Sequence, residues 1–138
     1  NEKGRTDILH YNSGELTENM YIVGEIFAKL YVGSDQIDTD FTAKVIDIFP
    51  DGTPMLVQDG IQRMRWRNGA YSTKVAENMK PGQVYEVLIE VGYMGYIFNK
   101  GHQISISISS SNYKRFSVNY NNGNMVIDGD KDWKNATN

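Results

Sequence analysis

The chain has 138 residues, contains no cysteine and carries a formal net charge of −3. This length suits a single domain that buries enough surface to fold without disulfides. The lack of cysteine excludes disulfide bonds, thiolate nucleophiles and cysteine-ligated zinc, but it leaves the localisation open, because cytoplasmic and exported domains both fit. Neither a concentrated basic run nor a long apolar run occurs, so no nucleic-acid or membrane partner is expected, and nothing at the start resembles a signal peptide.

The residue types favour strands over helices. The chain holds nine tyrosines and five phenylalanines, and together with Val, Ile and Thr these residues prefer the pleated surface of a sheet. Residues 1–6 are expected to form a flexible tail and residues 8–11 a short strand. The long alternation from Tyr21 to Val32 predicts an extended strand.

The stretch from Leu30 to Gly52 contains a residue that is expected to require a specific partner. In its second half Phe41, Val45 and Asp47 share one face of a predicted strand, since side chains two residues apart point the same way. Burying a lone carboxylate is costly. Asp47 is therefore expected to meet a cationic or amide partner from elsewhere in the sheet.

Three arginines alternate along a further strand predicted for residues 61–67. Arg63, Arg65 and Arg67 on one face suggest either an anion-binding site or a basic stripe opposite carboxylates of neighbouring strands. The second interpretation is favoured, because opposite charges paired across strands commonly stabilise sheets. Within this stripe, Arg65 is the preferred partner for Asp47.

The second half of the chain supplies further alternating segments. On the most regular of them, His102 shares the apolar face with Ile104, while the serines lie on the opposite face. Short strands joined by turns, without helical periodicity, predict an all-β sandwich or barrel that occupies residues 1–138 as one domain. The predicted elements are a strand at 84–91, a crossing segment at 93–98, a strand at 101–111, a short strand at 125–127 and a flexible tail at 128–138.

The sequence offers no self-sufficient active site. It lacks the G-x-S-x-G elbow of α/β-hydrolases, and the position of His102 away from the serines favours a core or capping histidine over a general base. Two distant histidines without cysteine do not predict catalytic zinc. Asp35, Asp38 and Asp40 are weak candidates for calcium ligands, but their spacing matches no EF-hand loop and turn chemistry explains them as well. We therefore predict no catalytic residue, cofactor or metal.

Four sequence blocks resemble a known family. They read LYVGSDQIDTDFTAKVIDIFPDG at 30–52, DGIQRMRWR at 59–67, PGQVYEVLIEV at 81–91 and FNKGHQISISISSSNYKRFSVNYNNG at 98–123. In this order they resemble the C-terminal domain of X-Pro dipeptidyl-peptidases. The same domain ends the cocaine-esterase-like (CocE/NonD) acyl hydrolases, the α-amino acid ester hydrolases and the glutaryl acylases. DTDF, FPDG, GH and SSSN carry the strongest likeness.

The resemblance implies a jelly-roll β-sandwich of the galactose-binding-like type that packs against a separate α/β-hydrolase domain. The Ser-His-Asp triad belongs to that other domain, and none of its residues maps onto this chain. The family domain is longer at both ends, so this chain is expected to be truncated, and an open sheet edge would permit pairing between copies. Structural roles are assigned to Asp38, Asp40, Phe41, Asp47, Arg63, Arg65, Gly101, His102 and Asn112.

Two functions fit this resemblance. The leading hypothesis is a non-catalytic C-terminal accessory domain of an X-Pro dipeptidyl-peptidase or CocE-like acyl esterase, which buttresses the α/β-hydrolase domain and its substrate cleft. The alternative is a carbohydrate-binding module of galactose-binding-like fold, in which Trp66, Trp133, Tyr93 and Tyr96 stack on sugars. For Trp66 and the two tyrosines, a place in the core or at the end of the sandwich is the favoured interpretation.

Overall fold

The computed structural model describes residues 5–69, 76–124 and 132–138. Within these ranges, none of the helical segments is long or apolar enough to span a membrane. The elements in chain order are β1 (Leu9–Glu15), β2 (Met20–Val32), β3 (Asp40–Ile48), β4 (Pro54–Arg63), a 3₁₀ helix (Met64–Trp66), β5 (Tyr85–Phe98) and β6 (Gln103–Ser109). The strand predicted at 125–127 lies outside the described residues.

The strands build two antiparallel sheets. One has the strand order β1-β6-β3-β4 and the other pairs β2 with β5. The prediction of an all-β sandwich is confirmed, while the jelly-roll order of strands stays a prediction. Apolar side chains from both sheets fill the space between them, because alternate residues of each strand point inward. The buried core comprises Val32, Phe41, Ala43, Val45, Met64, Met79, Val87, Ile89, Val91, Phe98 and Ile108.

Strands β4 and β5 of the two sheets approach closely at Gly60. A Cβ atom built on this residue would lie 2.1 Å from the carbonyl oxygen of Glu90 and 2.8 Å from the Cα of Val91. Only glycine fits this contact between β4 and β5. Strand β4 continues through Asp59 and Gly60, and the register shift in β4 falls nearby at Val57.

The predicted strand at 61–67 is only partly correct. Strand β4 ends at Arg63, and the chain tightens into the 3₁₀ helix over the next three residues. The three arginines consequently do not share one strand face. Arg67 lies 4.5 Å over the ring of Tyr85 and pairs with Glu77 at 3.1 Å.

Strand β5 is longer than predicted. The segment at 93–98, expected to cross between sheets, continues β5 and pairs with the first half of β2. The register between the two strands shifts between Ile26 and Phe27, and Gly92 in this bulge has a φ of +113°, a conformation that residues with side chains rarely adopt.

The sheets differ in width, which leaves part of the wider one uncovered. Leu9 and Tyr11 of β1 lie opposite Ile108 and Ile106 of β6 and therefore point to the core side. They are nevertheless 56% and 60% exposed, because the two-stranded sheet does not reach over β1. An open cavity of about 270 Å³ remains beside them. Its apolar lining includes Ile26, Leu30, Val45 and Val91.

Candidate functional site

Charged side chains gather where β3 begins and β4 ends. We call this group the acid–arginine corner: Asp38, Asp40, Arg63, Arg65 and Asn119. Asp40 lies directly opposite Arg63 in the β3–β4 pair, and Arg65 follows in the 3₁₀ helix. Both carboxylates are almost completely buried, so each requires partners within the protein.

Asp40 is held by a two-pronged ion pair. The Nε and Nη2 atoms of Arg63 donate to the two oxygens of Asp40 at 2.9 and 3.0 Å, the geometry in which arginine binds carboxylates most strongly. The hydrogen bonds that Arg63 donates to Asp40 raise the pKa of Arg63, although partial burial acts in the opposite direction. The side-chain amide of Asn119 adds a third donor to Asp40 at 2.7 Å.

Asp38 anchors the 3₁₀ helix and a distant loop. It accepts hydrogen bonds from the backbone N–H of Arg65 at 2.9 Å and from the amide of Asn119 at 3.0 Å. The Nε of Arg65 also lies 2.9 Å from Asp38. This contact is an ion pair and not a hydrogen bond, because the Nε–H of Arg65 is not oriented toward the carboxylate. Arg65 Nη1 in turn donates to the carbonyl of Gly123 at 2.7 Å.

The three weak calcium candidates are used in different ways. Arginines and an amide already contact the oxygens of Asp38 and Asp40, and these positive groups oppose a cation at the same place. Asp35 is exposed and accepts from the backbone N–H of Thr137 at 2.9 Å, which lowers the pKa of Asp35. Among the described residues, no cluster of three or more acidic or histidine side chains is placed to hold a metal ion.

Asp47 does not pair with Arg65, so that prediction is wrong. Seven residues separate Asp47 from Asp40 along β3, or about 23 Å of strand, and the arginines gather at the Asp40 end. Asp47 instead accepts from the hydroxyl of Tyr96 at 2.9 Å and contacts Nδ1 of His102 at 2.9 and 3.0 Å. Burial, and then the hydrogen bond to Asp47, raise the pKa of Tyr96.

His102 caps the end of the sandwich. Its ring packs against Phe49 with 4.8 Å between centroids, and its Nδ1 contacts the buried carboxylate of Asp47. Gly101 directly before it has a φ of +84° and donates its backbone N–H to Leu16 at 2.8 Å. The glycine thus makes the turn that directs the imidazole inward.

An aspartate and a histidine in contact are two members of a hydrolase triad, but the third is missing here. Hydrogen bonds among the described residues connect no serine hydroxyl to His102. Ser109 instead bonds to Thr42 at 2.8 Å and to the carbonyl of Ser111 at 2.9 Å. The described residues therefore do not assemble the nucleophile, base and acid that acyl transfer by a triad requires.

A fourth carboxylate, that of Asp59, is buried although the sequence pattern did not predict it. Asp59 on β4 accepts from the amide of Asn112 at 3.0 Å and from Arg115 at 3.2 Å. The carbonyl of Asn112 also accepts from the backbone N–H groups of Arg115 and Phe116, which forms the turn after β6. No local sequence pattern predicts a contact between residues that lie so far apart in the sequence.

The aromatic residues considered for sugar binding are not brought together. Tyr96 donates its hydroxyl to Asp47, whereas Trp66 lies beside Arg65 at the opposite end of β3. Tyr93 points outward from β5. Trp133 is exposed and borders a cavity of about 340 Å³, whose lining includes Asn119, Asn121 and Asn135.

Comparisons with known proteins agree on one group of hydrolases. Cocaine esterase from Rhodococcus sp. (strain MB1 Bresler) is 38% identical over 122 residues, which cover 88% of this chain and 21% of that protein. An aminopeptidase structure from a marine sediment Thaumarchaeota archaeon superposes with a TM-score of 0.86 at 25% identity over 97% of this chain and 23% of its own. An α-amino acid ester hydrolase gives a TM-score of 0.84 at 22% identity over 98% of this chain and 23% of its own, and therefore supports the fold alone.

The chain thus spans about a fifth to a quarter of these longer relatives. A family model described as the X-Pro dipeptidyl-peptidase C-terminal non-catalytic domain matches residues 1–138. The resemblance inferred from the four sequence blocks is confirmed. The chain belongs to the family of X-Pro dipeptidyl-peptidase C-terminal non-catalytic domains.

Proposed function

We propose that this domain buttresses the α/β-hydrolase domain of a serine hydrolase and forms part of the wall of its substrate cleft. The observation that carries the proposal is the use of the buried acids. Asp38, Asp40 and Asp47 each bind side chains of the same domain. These interactions stabilise a scaffold, and they leave none of the three carboxylates free to act as an acid or base on a substrate.

The substrate class of the complete hydrolase follows from its relatives. One relative is named a cocaine esterase, and solved neighbours are named an aminopeptidase and an α-amino acid ester hydrolase. Esters and peptides share an acyl carbon that a serine nucleophile attacks. We therefore propose that the complete protein cleaves acyl esters or peptides with proline in second position.

The test compares the complete hydrolase with a version that lacks these 138 residues. We expect deletion to lower the temperature of irreversible inactivation and to reduce kcat/KM. The isolated domain should neither hydrolyse p-nitrophenyl acetate nor react with a fluorophosphonate serine probe. Unchanged stability and activity after deletion would contradict the supporting role, and probe labelling of the isolated domain would contradict its lack of catalysis.

A carbohydrate site is the second candidate, and the cavity beside Trp133 favours it. An exposed indole can stack on the C–H face of a sugar ring, while amides such as those of Asn121 and Asn135 bind its hydroxyls. This would suit the galactose-binding-like fold that the family implies. Titration with oligosaccharides should quench the fluorescence of Trp133, and Trp133→Ala should abolish the response whereas Trp66→Phe should keep it. Equal responses from both variants would exclude this site.

Pairing between copies is a further proposal from the open sheet edges. Within the described residues, β2 hydrogen-bonds to β5 on one side only, so its other edge presents unpaired backbone groups. Sedimentation velocity over a hundredfold range of concentration should show a reversible dimer. A single monomeric species throughout that range would refute it.

A further inference from the structure

The sequence contains two Asn-Gly pairs, Asn68-Gly69 and Asn122-Gly123. In such a pair the backbone nitrogen of the glycine can attack the side-chain amide carbon of the asparagine and expel ammonia. Glycine permits this attack because it has no Cβ to obstruct the approach and its backbone is conformationally free. The two pairs are identical as dipeptides, so the hydrogen bonds around each pair determine which one reacts in the folded protein.

The side chain of Asn122 is folded back over the backbone that follows it. The backbone N–H of Asn124 donates to Oδ1 of Asn122 at 3.0 Å, which is an Asx turn. The ring closed by this hydrogen bond contains both reacting atoms, the Cγ of Asn122 and the nitrogen of Gly123. The same N–H is directed at the oxygen on which negative charge develops during the attack, so it stabilises the transition state.

The nitrogen of Gly123 is available for this attack. Within the described part of the chain, its N–H donates to no acceptor, while its carbonyl accepts from Nη1 of Arg65 at 2.7 Å. Asn122 and Gly123 are both half-buried and so remain in contact with water. The nitrogen therefore loses its proton to solvent without breaking a hydrogen bond.

The other Asn-Gly pair is held in a different way. The backbone N–H of Gly69 donates to the carbonyl of Trp66 at 3.0 Å, and Nδ2 of Asn68 donates to Oε2 of Glu77 at 3.0 Å. Attack by the Gly69 nitrogen would have to break the first bond and turn the amide away from Glu77. The same dipeptide is thus restrained at one place and prepared for reaction at the other.

We propose that Asn122 is a site of spontaneous deamidation, promoted by the turn in which it lies. A bond forms between the nitrogen of Gly123 and Cγ of Asn122, and the bond from Cγ to Nδ2 breaks. The proton of the Gly123 N–H passes through solvent to the departing nitrogen, which leaves as ammonia. Water then opens the cyclic imide. Its attack at Cγ gives aspartate, and its attack at the main-chain carbonyl carbon gives isoaspartate, whose backbone runs through the former side chain.

The isoaspartate product acts on the acid–arginine corner. It lengthens the main chain by one carbon directly before Gly123, whose carbonyl is an acceptor for Arg65. Arg65 has no surplus of partners, because its Nη2 is buried without a hydrogen bond to any described residue. Displacing the carbonyl of Gly123 therefore loosens the guanidinium that pairs with Asp38, and we expect a lower resistance to urea as the protein ages.

Peptide mapping by mass spectrometry tests the site, with Asn68 as the internal standard. Trypsin releases the two asparagines on separate peptides, because cleavage follows Arg67 and Arg115. During incubation of the folded chain in mildly alkaline buffer, Asn122 should convert to aspartate and isoaspartate at least fivefold faster than Asn68. In urea the two rates should become similar. Equal rates in the folded chain would overturn the proposal, and so would a ratio that persists in urea, because the fold would then not be the cause.

The variant Asn122→Ser tests the consequence for stability. Serine still offers an oxygen to the N–H of Asn124 and has no amide to lose. We expect the urea midpoint of the wild-type chain to fall as isoaspartate accumulates, measured by methylation with an isoaspartyl methyltransferase, while the midpoint of Asn122→Ser stays constant. A wild-type midpoint that does not change as isoaspartate accumulates would refute the effect on Arg65, and so would an equal fall in both proteins.

Discussion

Replacing Gly60 with alanine tests the close backbone contact between β4 and β5. The added Cβ would lie 2.1 Å from the carbonyl oxygen of Glu90, whereas ordinary Cβ contacts begin at 3.4 Å. The sheets would have to separate by 3.4 − 2.1 = 1.3 Å at this point. All three atoms nearest the Cβ belong to the backbone of Glu90 and Val91, so no side chain can rotate to make room. Overpacking of this kind costs about 1–3 kcal/mol, and we expect a value near 3 kcal/mol.

Gly95→Ala is the matched control. Gly95 also lies in a strand, has no atom within 4 Å of an added Cβ and does not have a positive φ. Alanine there should change the free energy of unfolding by less than about 1 kcal/mol, and in the stabilising direction. Urea unfolding followed by far-UV circular dichroism measures both variants, and thermal unfolding should show a midpoint lower by about 10 °C for Gly60→Ala. Equal midpoints for the two variants would refute the close approach of β4 and β5.

Three further substitutions test the buried carboxylates, each measured by urea unfolding. Asp38→Ala should destabilise the domain by about 3–5 kcal/mol, because it leaves the buried guanidinium of Arg65 without its carboxylate. Glu18→Ala at an exposed position should have little effect. Similar losses of stability in the two variants would refute the role of the acid–arginine corner. Tyr96→Phe should cost about 1–3 kcal/mol, since Asp47 loses a donor. The raised pKa of Tyr96 stabilises the fold fully below the unfolded pKa of about 10, and this contribution is lost as pH rises through the higher folded pKa. The difference between wild type and Tyr96→Phe should therefore narrow above about pH 10, and a constant difference would contradict this. Asn112→Ala should cost about 1–3 kcal/mol by leaving a buried aspartate short of a donor, and no loss would show that Asp59 does not depend on it.

Side-chain alternation was sufficient to predict most strands. The pattern from Tyr21 to Val32 corresponds to β2, and the one that begins at Phe41 corresponds to β3. Alternation also identified Asp47 as a carboxylate on a buried face. These features are local, because the pleat of a strand sends neighbouring residues to opposite faces whatever the strand pairs with.

Long-range pairing was not predictable in the same way. The register between β3 and β4 places the arginines at Asp40 and not at Asp47, and the sequence does not give this register. It also does not give the packing that brings Tyr96 and His102 to Asp47. The change from strand to 3₁₀ helix after Arg63 also lacks a local signal, since an arginine at every second position continues through it. The resemblance to a known family supplied the fold class, but not these contacts.

The unequal width of the two sheets has a consequence for local motion. Strand β1 hydrogen-bonds to β6 along one edge, and none of the described strands covers its apolar side chains, so little free energy opposes its detachment. Strand β3 is paired on both sides and largely buried. Amide hydrogens of β1 should therefore exchange with solvent by local opening, whereas those of β3 should exchange only when the whole domain unfolds.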